Sequence, residues 1–293
     1  MDGIPAEARA AIGKRVGAVD LVSAAPVAAM MATLDRAGPP PGPGEAIPAL
    51  WHGLFCTAKL RPGALGPDGM ARDEPLLPSV PGYPRRRFGG ARYDFVRPIR
   101  IGDAIRRDSE IAAIEAKTGR AGPFLRVLVR HTIEGPDGPA TLEENDVLFL
   151  PPPAGAPPDE QASKTPDAPP GEAVWSRTID PDPVLLFRHS ALTFNAHRIH
   201  YDRDYAAAQD EPGLLVQAIL IARLMLEMVH AERPGHPIAR FSFRSGAPVH
   251  DTAPFTIAGE PAPEGASASL WAVRADGRIA MTGKVSFGDG ALM

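Results

Sequence analysis

The densest group of side chains able to carry out chemistry lies between residues 190 and 205. His197 and His200 are three residues apart there, and Asn195, Asp202 and Asp204 lie close to them in the sequence. An imidazole titrates near neutral pH, so one of these histidines could accept a proton from a reacting group and return it later. The cluster therefore indicates general acid–base catalysis. The alternative without chemistry is a histidine that only hydrogen-bonds its own loop.

Metal binding and nucleophilic catalysis are less well supported by the same residues. A His-x-x-His pair with nearby carboxylates could bind a metal, but it lacks the i, i+4 histidines and intervening glutamate of zinc hydrolases. Asp202 and Asp204 could instead cap a helix over residues 205–208. Ser190 is outside any G-x-S-x-G motif, Cys56 has no catalytic context, and no glycine-rich phosphate loop occurs. We therefore predict no metal and no cofactor.

Composition and charge restrict the class of protein. The 293 residues carry a formal net charge of −4, whereas a nucleic-acid-binding protein usually has a basic surface that neutralises phosphates. The single cysteine excludes an internal disulfide and a C-x-x-C site. No secretory signal is visible, and the most apolar window, residues 214–229, is shorter than the roughly 20 residues of a membrane-spanning helix. We therefore expect a soluble cytoplasmic protein with no nucleic-acid or membrane partner.

A proline-rich stretch divides the chain. Residues 151–170 contain no aromatic side chain and no aliphatic one larger than alanine, so they cannot bury an apolar surface and are typical of an extended linker. We predict a first half over residues 1–150, a linker over 151–172 and a second half over 173–293 that carries the histidine cluster. Another proline-rich stretch, residues 39–48, predicts a loop inside the first half.

Both halves show helical patterns followed by four apolar runs that are typical of antiparallel strands. In the first half we predict a helix over 19–35 that is best formed from Pro26 onward, because proline suits a first helical turn. We also predict a buried strand or helix over 50–56, and strands over 90–97, 103–116, 124–133 and 140–150. In the second half we predict a strand over 172–179, helices over 183–193 and 213–231, and strands over 239–249, 254–259, 267–275 and 278–287. This arrangement indicates an α+β fold with a sheet packed against helices.

The long helix of the second half is unusually apolar. Only Gln217, Arg223 and Glu227 are polar within residues 214–229, whereas a helix on the protein surface is polar over about half its circumference. We therefore expect a curved sheet to cover this helix on nearly all sides. The free N–H groups at its amino-terminal end would face the histidine cluster, where they could stabilise a developing oxyanion.

The histidine cluster resembles a known motif. Asn195-Ala-His-Arg-Ile-His-Tyr-Asp202 is similar to the D-x-N-P-x-H-x-D motif of MaoC-like, hot-dog-fold enoyl-CoA hydratases. The wider segment 187–202 looks closer to one branch, the two-half proteins similar to mesaconyl-C4-CoA and itaconyl-CoA hydratases and to hydroxyacyl-thioester dehydratases. Segments 50–54 and 95–103 fit that branch as well. The resemblance implies a double hot-dog fold, in which two curved antiparallel sheets each wrap around a central helix.

The same resemblance implies a reaction, namely addition of water to the C2–C3 double bond of an acyl-CoA thioester or its reversal. His200 would be the general base, and N–H groups near Gln217 and Ala218 would bind the thioester oxygen. The family usually has a glycine where Ala218 stands, and an aspartate where this chain has Asn195. An amide cannot transfer a proton, so Asn195 would orient the water while His200 both accepts and returns the proton.

Further residues are assigned by position in the motif and its surroundings. His197, Arg198 and Gly213 would line the substrate site, and Trp51 and His52 could shape the acyl pocket or simply pack in the core. Contacts to the phosphates of CoA are assigned to residues of the strand that follows the long helix, namely Arg240, Arg244 and His250. The first half contains no copy of the histidine motif, so we expect it to complete the pocket and the sheet.

The sequence leaves alternatives open. The chain could bind acyl thioesters without turnover or could hydrolyse the thioester, because hot-dog folds support thioesterases too. Hot-dog proteins usually pair their sheets, so we expect either a homodimer or pairing of the two halves within one chain. We expect an acyl group that is short or dicarboxylic, such as mesaconyl or itaconyl.

Overall fold

A computed structural model describes residues 3–119, 122–152 and 168–288 of the chain. Their strands form one ten-stranded sheet in which all neighbouring strands are antiparallel. The strands are β1 Arg15–Leu21, β2 Arg85–Phe95, β3 Ala104–Gly119, β4 Gly122–Gly135, β5 Gly138–Leu150, β6 Trp175–Ile179, β7 Ile238–Ser245, β8 Phe255–Pro261, β9 Ser267–Arg274 and β10 Ile279–Phe287.

The order of the strands repeats between the two parts of the sheet. From its outer edge inward, the first part runs β1-β3-β4-β5-β2, and the second part runs β6-β8-β9-β10-β7. The two parts meet where β2 pairs with β7 over Gly90–Asp94 and Arg240–Arg244. The two halves are therefore paired within one chain. The predicted division of the chain stays a prediction, because residues 153–167 of the linker lie outside the described residues.

The helices are short except for one. They are α1 Ala6–Ala10, α2 Ala24–Thr33, α3 Pro183–Leu192, α4 Arg203–Ala208 and α5 Ala218–Glu232, with 3₁₀ helices at Trp51–Leu54, Pro62–Ala64 and Arg198–His200. All seven residues from Leu220 to Leu226 of α5 are buried, including Arg223. This burial confirms the expectation of a helix that is covered on nearly all sides.

Two predicted helices begin later than the sequence indicated. Residues 19–21 belong to β1, an edge strand whose exposed face carries Val19 and Leu21, and these apolar side chains made the segment look helical. Residues 213–217 are not helical either, because Leu215 forms an antiparallel bridge with His250 and Val216 N–H donates to the Val249 carbonyl. This extended segment leads into α5 and shapes the candidate site.

The segment 50–56 is helical over four residues, which is one of the two predicted alternatives. It forms a short 3₁₀ helix that begins after Leu50, whose φ of 68° lies in the left-handed region.

No helix within the described ranges is both long and apolar enough to cross a membrane.

Candidate active site

His200 lies at the end of the 3₁₀ helix Arg198–His200 and is buried. Its Nδ1 is 2.7 Å from the carbonyl oxygen of Leu215. A carbonyl can only accept a hydrogen bond, so Nδ1 carries the proton and Nε2 carries a lone pair. Nε2 has no hydrogen-bond partner among the described residues. It is also not one of the unpartnered buried nitrogens that are inaccessible to solvent. The basic nitrogen of the ring is therefore left without a partner among the described residues and is not completely inaccessible.

The surroundings of His200 keep it neutral. Burial lowers the pKa of His200 to about 4, and the neighbouring charges of His197 and Arg87 lower it as well. The bond to the Leu215 carbonyl acts in the opposite direction, because it stabilises the protonated ring. At neutral pH this imidazole is thus always available as a base.

The helix α5 begins shortly after the residue whose carbonyl holds the His200 ring. Leu215, which accepts the bond from His200, is three residues before Ala218, the first residue of α5. Gln217 occupies the N-cap position, but its side chain does not cap the helix. It donates instead to Ser190 Oγ at 2.9 Å and to the Leu186 carbonyl at 3.2 Å. No side chain at the N-cap thus bonds to the first N–H groups of α5. These groups can therefore donate to an oxygen that carries partial negative charge.

Asn195 and His197 form a turn beside His200. The side-chain oxygen of Asn195 accepts a hydrogen bond from the backbone N–H of His197 at 3.1 Å. The rings of His197 and His200 meet edge to face with centroids 5.5 Å apart. Burial lowers the pKa of His197, although the charge of Asp68 acts in the opposite direction. The structure therefore brings the two histidines together and places Asn195 in the same turn.

Arg198 is held within the loop by several contacts. Its guanidinium pairs with Asp202 at 2.7 Å, lies over the Tyr205 ring at 4.8 Å and donates to the Pro67 carbonyl at 3.0 Å. Asp202 also caps α4, because its carboxylate accepts from the Tyr205 N–H at 3.0 Å. These bonds give Arg198 and Asp202 a role in fixing the turn that carries His200.

A loop of the first half covers this turn. The Arg198 N–H donates to the Asp68 carbonyl at 2.9 Å. Gly69 lies so close to the Ala196 carbonyl that a Cβ at this position would collide with it, and its φ of 82° is in the left-handed region. The histidine turn is thus packed against residues from the other half of the chain.

Sequence reasoning missed a buried acid at the site. Glu211 accepts from His250 Nε2 at 2.7 Å and from Arg87 Nη2 at 2.7 Å. The pKa of Glu211 is lowered although its burial acts to raise it, because the His250 bond and the Arg87 charge outweigh that burial. No local motif could have revealed this group, because Arg87 and Glu211 are 124 residues apart.

The residues assigned to the CoA phosphates do not gather at the site. His250 is buried against Glu211, so the structure gives it an internal partner in place of a phosphate. Arg240 and Arg244 alternate along β7 with Phe241 and Phe243, which pack in the core around α5. The two arginines therefore point to the opposite face of the sheet, where Arg240 pairs with Asp94 at 2.8 Å. The assignment of these three residues to the phosphates stays a prediction, because the sequence does not show which strand face lies near the site.

Three further residues that the sequence singled out, Gly213, Trp51 and His52, are each packed against other parts of the chain. Gly213 is buried where a Cβ would collide with Asp251, whose carboxylate accepts from the Leu214 N–H at 2.8 Å. Trp51 is packed in the core of the first half. His52 faces the first half too, with Nε2 3.1 Å from a carboxylate oxygen of Glu143.

A second buried polar contact joins α3 and α5. Arg223 Nη1 is 2.8 Å from His189 Nε2, and Arg223 Nη2 donates to the Leu50 carbonyl at 3.2 Å. Burial lowers the pKa of Arg223 to about 10, so the guanidinium remains charged at neutral pH. These bonds tie α5 to a backbone carbonyl of the first half.

The described residues contain no group of three or more histidine, cysteine, aspartate and glutamate side chains arranged to hold a metal ion.

Comparison with known proteins gives consistent matches. The family described as "Hydroxyacyl-thioester dehydratase type 2" matches residues 50–251. A curated relative, "Mesaconyl-C(4)-CoA hydratase" of Chloroflexus aurantiacus, is 39% identical over 279 residues, which cover 94% of this chain and 96% of that protein.

Solved structures agree on the fold. A MaoC-like dehydratase from Phytophthora capsici has a TM-score of 0.70 at 10% identity and covers 96% of this chain and 97% of its own. A protein of Mycobacterium tuberculosis described as having a double hotdog fold has a TM-score of 0.55 at 15% identity, covering 94% of this chain and 96% of its own. These similarities confirm the double hot-dog fold.

Proposed function

We propose that this chain, which belongs to the hydroxyacyl-thioester dehydratase type 2 family, is a hydro-lyase that adds water to a 2-enoyl-CoA thioester or removes it from a 3-hydroxyacyl-CoA. The acyl group is short and dicarboxylic, as in mesaconyl-C4-CoA, because the relative at 39% identity over nearly the full chain carries that activity in its name. The observation that carries the proposal is the buried ring of His200, whose Nδ1 is held by the Leu215 carbonyl three residues before α5 and whose Nε2 has no partner among the described residues.

The mechanism begins with a water molecule placed against His200. Nε2 takes a proton from the water while the oxygen attacks C3 of the conjugated thioester. Electrons move from the double bond into the thioester carbonyl, so its oxygen becomes enolate-like. We assign the stabilisation of that charge to the N–H groups of Gln217, Ala218 and the residue after it, at the start of α5.

Return of the proton completes the reaction. The protonated His200 is a stronger acid than a solvated imidazolium, because its buried surroundings lower its pKa to about 4. It therefore gives the proton readily to C2 as the enolate collapses. The net change is one hydroxyl on C3 and one hydrogen on C2, which equals one added water. To Asn195, which lies in the same turn, we assign the orientation of the water, because its amide cannot exchange a proton.

A direct assay tests the function. Purified protein is mixed with mesaconyl-C4-CoA, itaconyl-CoA or crotonyl-CoA, and the ultraviolet absorbance of the conjugated thioester is followed together with free CoA detected by a thiol reagent. We expect absorbance to fall without release of CoA. Release of CoA would instead identify a thioesterase, and binding without turnover would identify a non-catalytic acyl-thioester-binding protein.

A further inference from the structure

Arg87 brings a positive charge from the first half of the chain to the histidine pair. It lies on β2 before Gly90, where the pairing of β2 with β7 begins, so this part of β2 extends past the end of β7. The charge of Arg87 contributes to the lowered pKa of both His197 and His200. The guanidinium therefore lies within electrostatic range of both rings.

The position of Arg87 is fixed by the scaffold that also fixes His200. Glu211 binds Arg87 through one carboxylate oxygen and His250 through the other, each at 2.7 Å. His250 forms the antiparallel bridge with Leu215, and the Leu215 carbonyl holds His200 Nδ1. The guanidinium and the imidazole are thus linked through four consecutive contacts.

Arg87 retains unused donors at this position. Within the described part of the chain only its Nη2 has a hydrogen-bond partner, while Nε and Nη1 have none and are not sealed in the interior. The side chain of Arg87 is 28% exposed, whereas that of Glu211 is 2% exposed. A buried carboxylate therefore anchors one edge of the guanidinium and leaves the rest of its planar fork open.

The charges around Arg87 favour an anion. Glu211 is shared between Arg87 and His250, and Arg85 lies near enough for the charge of Arg87 to lower its pKa in addition to burial. An arginine fork binds carboxylate or phosphate oxygens through paired N–H groups, and a fork that is already held in place loses little conformational entropy on binding. An anionic part of a ligand fits this position.

We propose that Arg87 binds an anionic group of the substrate, either the free carboxylate of a dicarboxylic acyl group or a phosphate of CoA, and that Glu211 positions it. This inference rests on the proposed function and extends it, because it assigns a specificity-determining role to a residue of the half that lacks the histidine motif. It also explains why an ion pair links the two halves at the site.

Four thioesters separate the two sources of negative charge. Mesaconyl-C4-CoA carries the carboxylate and the phosphates, and 3-methylcrotonyl-CoA has a methyl group where the carboxylate stands. The corresponding pantetheine thioesters lack the phosphates. The kcat/KM of each is measured for the wild type and Arg87→Gln, and a thioester without turnover is measured by its Ki against mesaconyl-C4-CoA. Arg106→Gln is the control for net charge, because Arg106 pairs with Asp108 on exposed β3.

The pattern of losses decides the inference. Arg87→Gln should lower kcat/KM by about 10-fold to 100-fold, the range for a lost hydrogen bond to a charged group. This loss should occur either only for the two mesaconyl thioesters or only for the two CoA thioesters. The first pattern identifies the carboxylate and the second the phosphate, and Arg106→Gln should change neither. Equal losses on all four thioesters, or no loss on any, would overturn the inference while leaving the hydratase proposal intact.

Arg87→Gln leaves the Glu211 carboxylate buried without its arginine partner, which destabilises the site. The double variant Arg87→Gln/Glu211→Gln has a neutral pair at these positions. It must give the same selective pattern of losses. A wild type that is inactive on all four thioesters would contradict the proposed function itself, an outcome distinct from equal losses in the variant.

Discussion

At the scale of single residues, the proposed mechanism depends on which nitrogen of His200 is unprotonated. The Leu215 carbonyl holds the proton on Nδ1, so Nε2 is the only atom of this ring that can accept a proton from water. Burial gives the ring a pKa of about 4, which makes it a weaker base than a solvated histidine but a stronger acid once protonated. A single group that both accepts and returns the proton needs this balance, since Asn195 cannot supply the second step.

Asn195→Asp tests the role of the missing acid. The new carboxylate can accept from the His197 N–H as Asn195 does, so we expect the fold to be kept. Its negative charge should favour the protonated ring, raise the pKa of His200 and move the acid limb of kcat/KM to higher pH. The measurement is kcat/KM between pH 4 and 8, with Asn195→Ala as the uncharged control. An active Asn195→Asp enzyme with an unshifted limb would argue against this arrangement.

The sequence could predict the histidine turn but not its neighbours. Asn195 and His200 stand within one short segment, so their spacing is visible to pattern reasoning. Arg87 and Glu211 meet only after the two halves fold together, and no local pattern connects them. His250 was assigned to CoA from its place after β7, whereas its burial against Glu211 depends on the path of residues 211–215.

At the scale of elements, a loop of the first half supports the turn that carries His200. The loop residue Gly69 lies against the Ala196 carbonyl with φ of 82°, and Asp68 accepts from the Arg198 N–H. Strands β3, β4 and β5 and the core position of α5 could be predicted from apolar periodicity. The start of α5 could not, because residues 214–216 are as apolar as the helix although they pair as an extended segment.

Gly69→Ala is expected to move this loop away from the turn. The added methyl group would collide with the Ala196 carbonyl and would be strained by the left-handed backbone. We expect KM for the thioester to rise and kcat to fall, with most of the thermal stability kept because the loop is at the surface. Gly63→Ala is the matched control, since a Cβ at Gly63 meets nothing within 4 Å. Equal kinetics for the two variants would contradict a supporting role for the loop.

At the scale of the whole molecule, the two halves share one sheet and one site. The β2–β7 pairing joins their sheets, and Arg223 of α5 donates to the Leu50 carbonyl of the first half. The equal strand order of the halves follows the repeat of pattern in the sequence, which by itself indicated an α+β fold, whereas the resemblance to the MaoC-like family implied the double hot-dog fold. The contacts across the halves could not be predicted, because each depends on a pair of residues far apart in the chain.

The buried histidines make stability depend on pH. Burial lowers the pKa of His131, His189, His197 and His200. The unfolded chain therefore binds more protons than the folded one below about pH 6.5, and the free energy of unfolding should fall as pH is lowered from 6.5 toward 4. For His200 alone, a pKa that falls from 6.5 to about 4 corresponds to about 3 kcal/mol.

Urea unfolding at pH 7.5, 6.0 and 4.5 checks this dependence. The wild type should lose stability across the series, His200→Ala should lose less, and His236→Ala should behave as the wild type because His236 is exposed. A free energy of unfolding that stays constant or rises between pH 7.5 and 4.5 would show that these histidines are not buried in the neutral form.

The role of His200 as the general base is measured by the kcat of His200→Ala on mesaconyl-C4-CoA, beside the wild type and His236→Ala. We expect a loss of about 10²-fold to 10⁴-fold for His200→Ala, as when a general base is removed, with the thioester still bound and no loss for His236→Ala. We also expect wild-type activity to stay constant from neutral pH downward and to fall only as pH passes through about 4. A folded His200→Ala enzyme that keeps the wild-type kcat would show that His200 is not the general base.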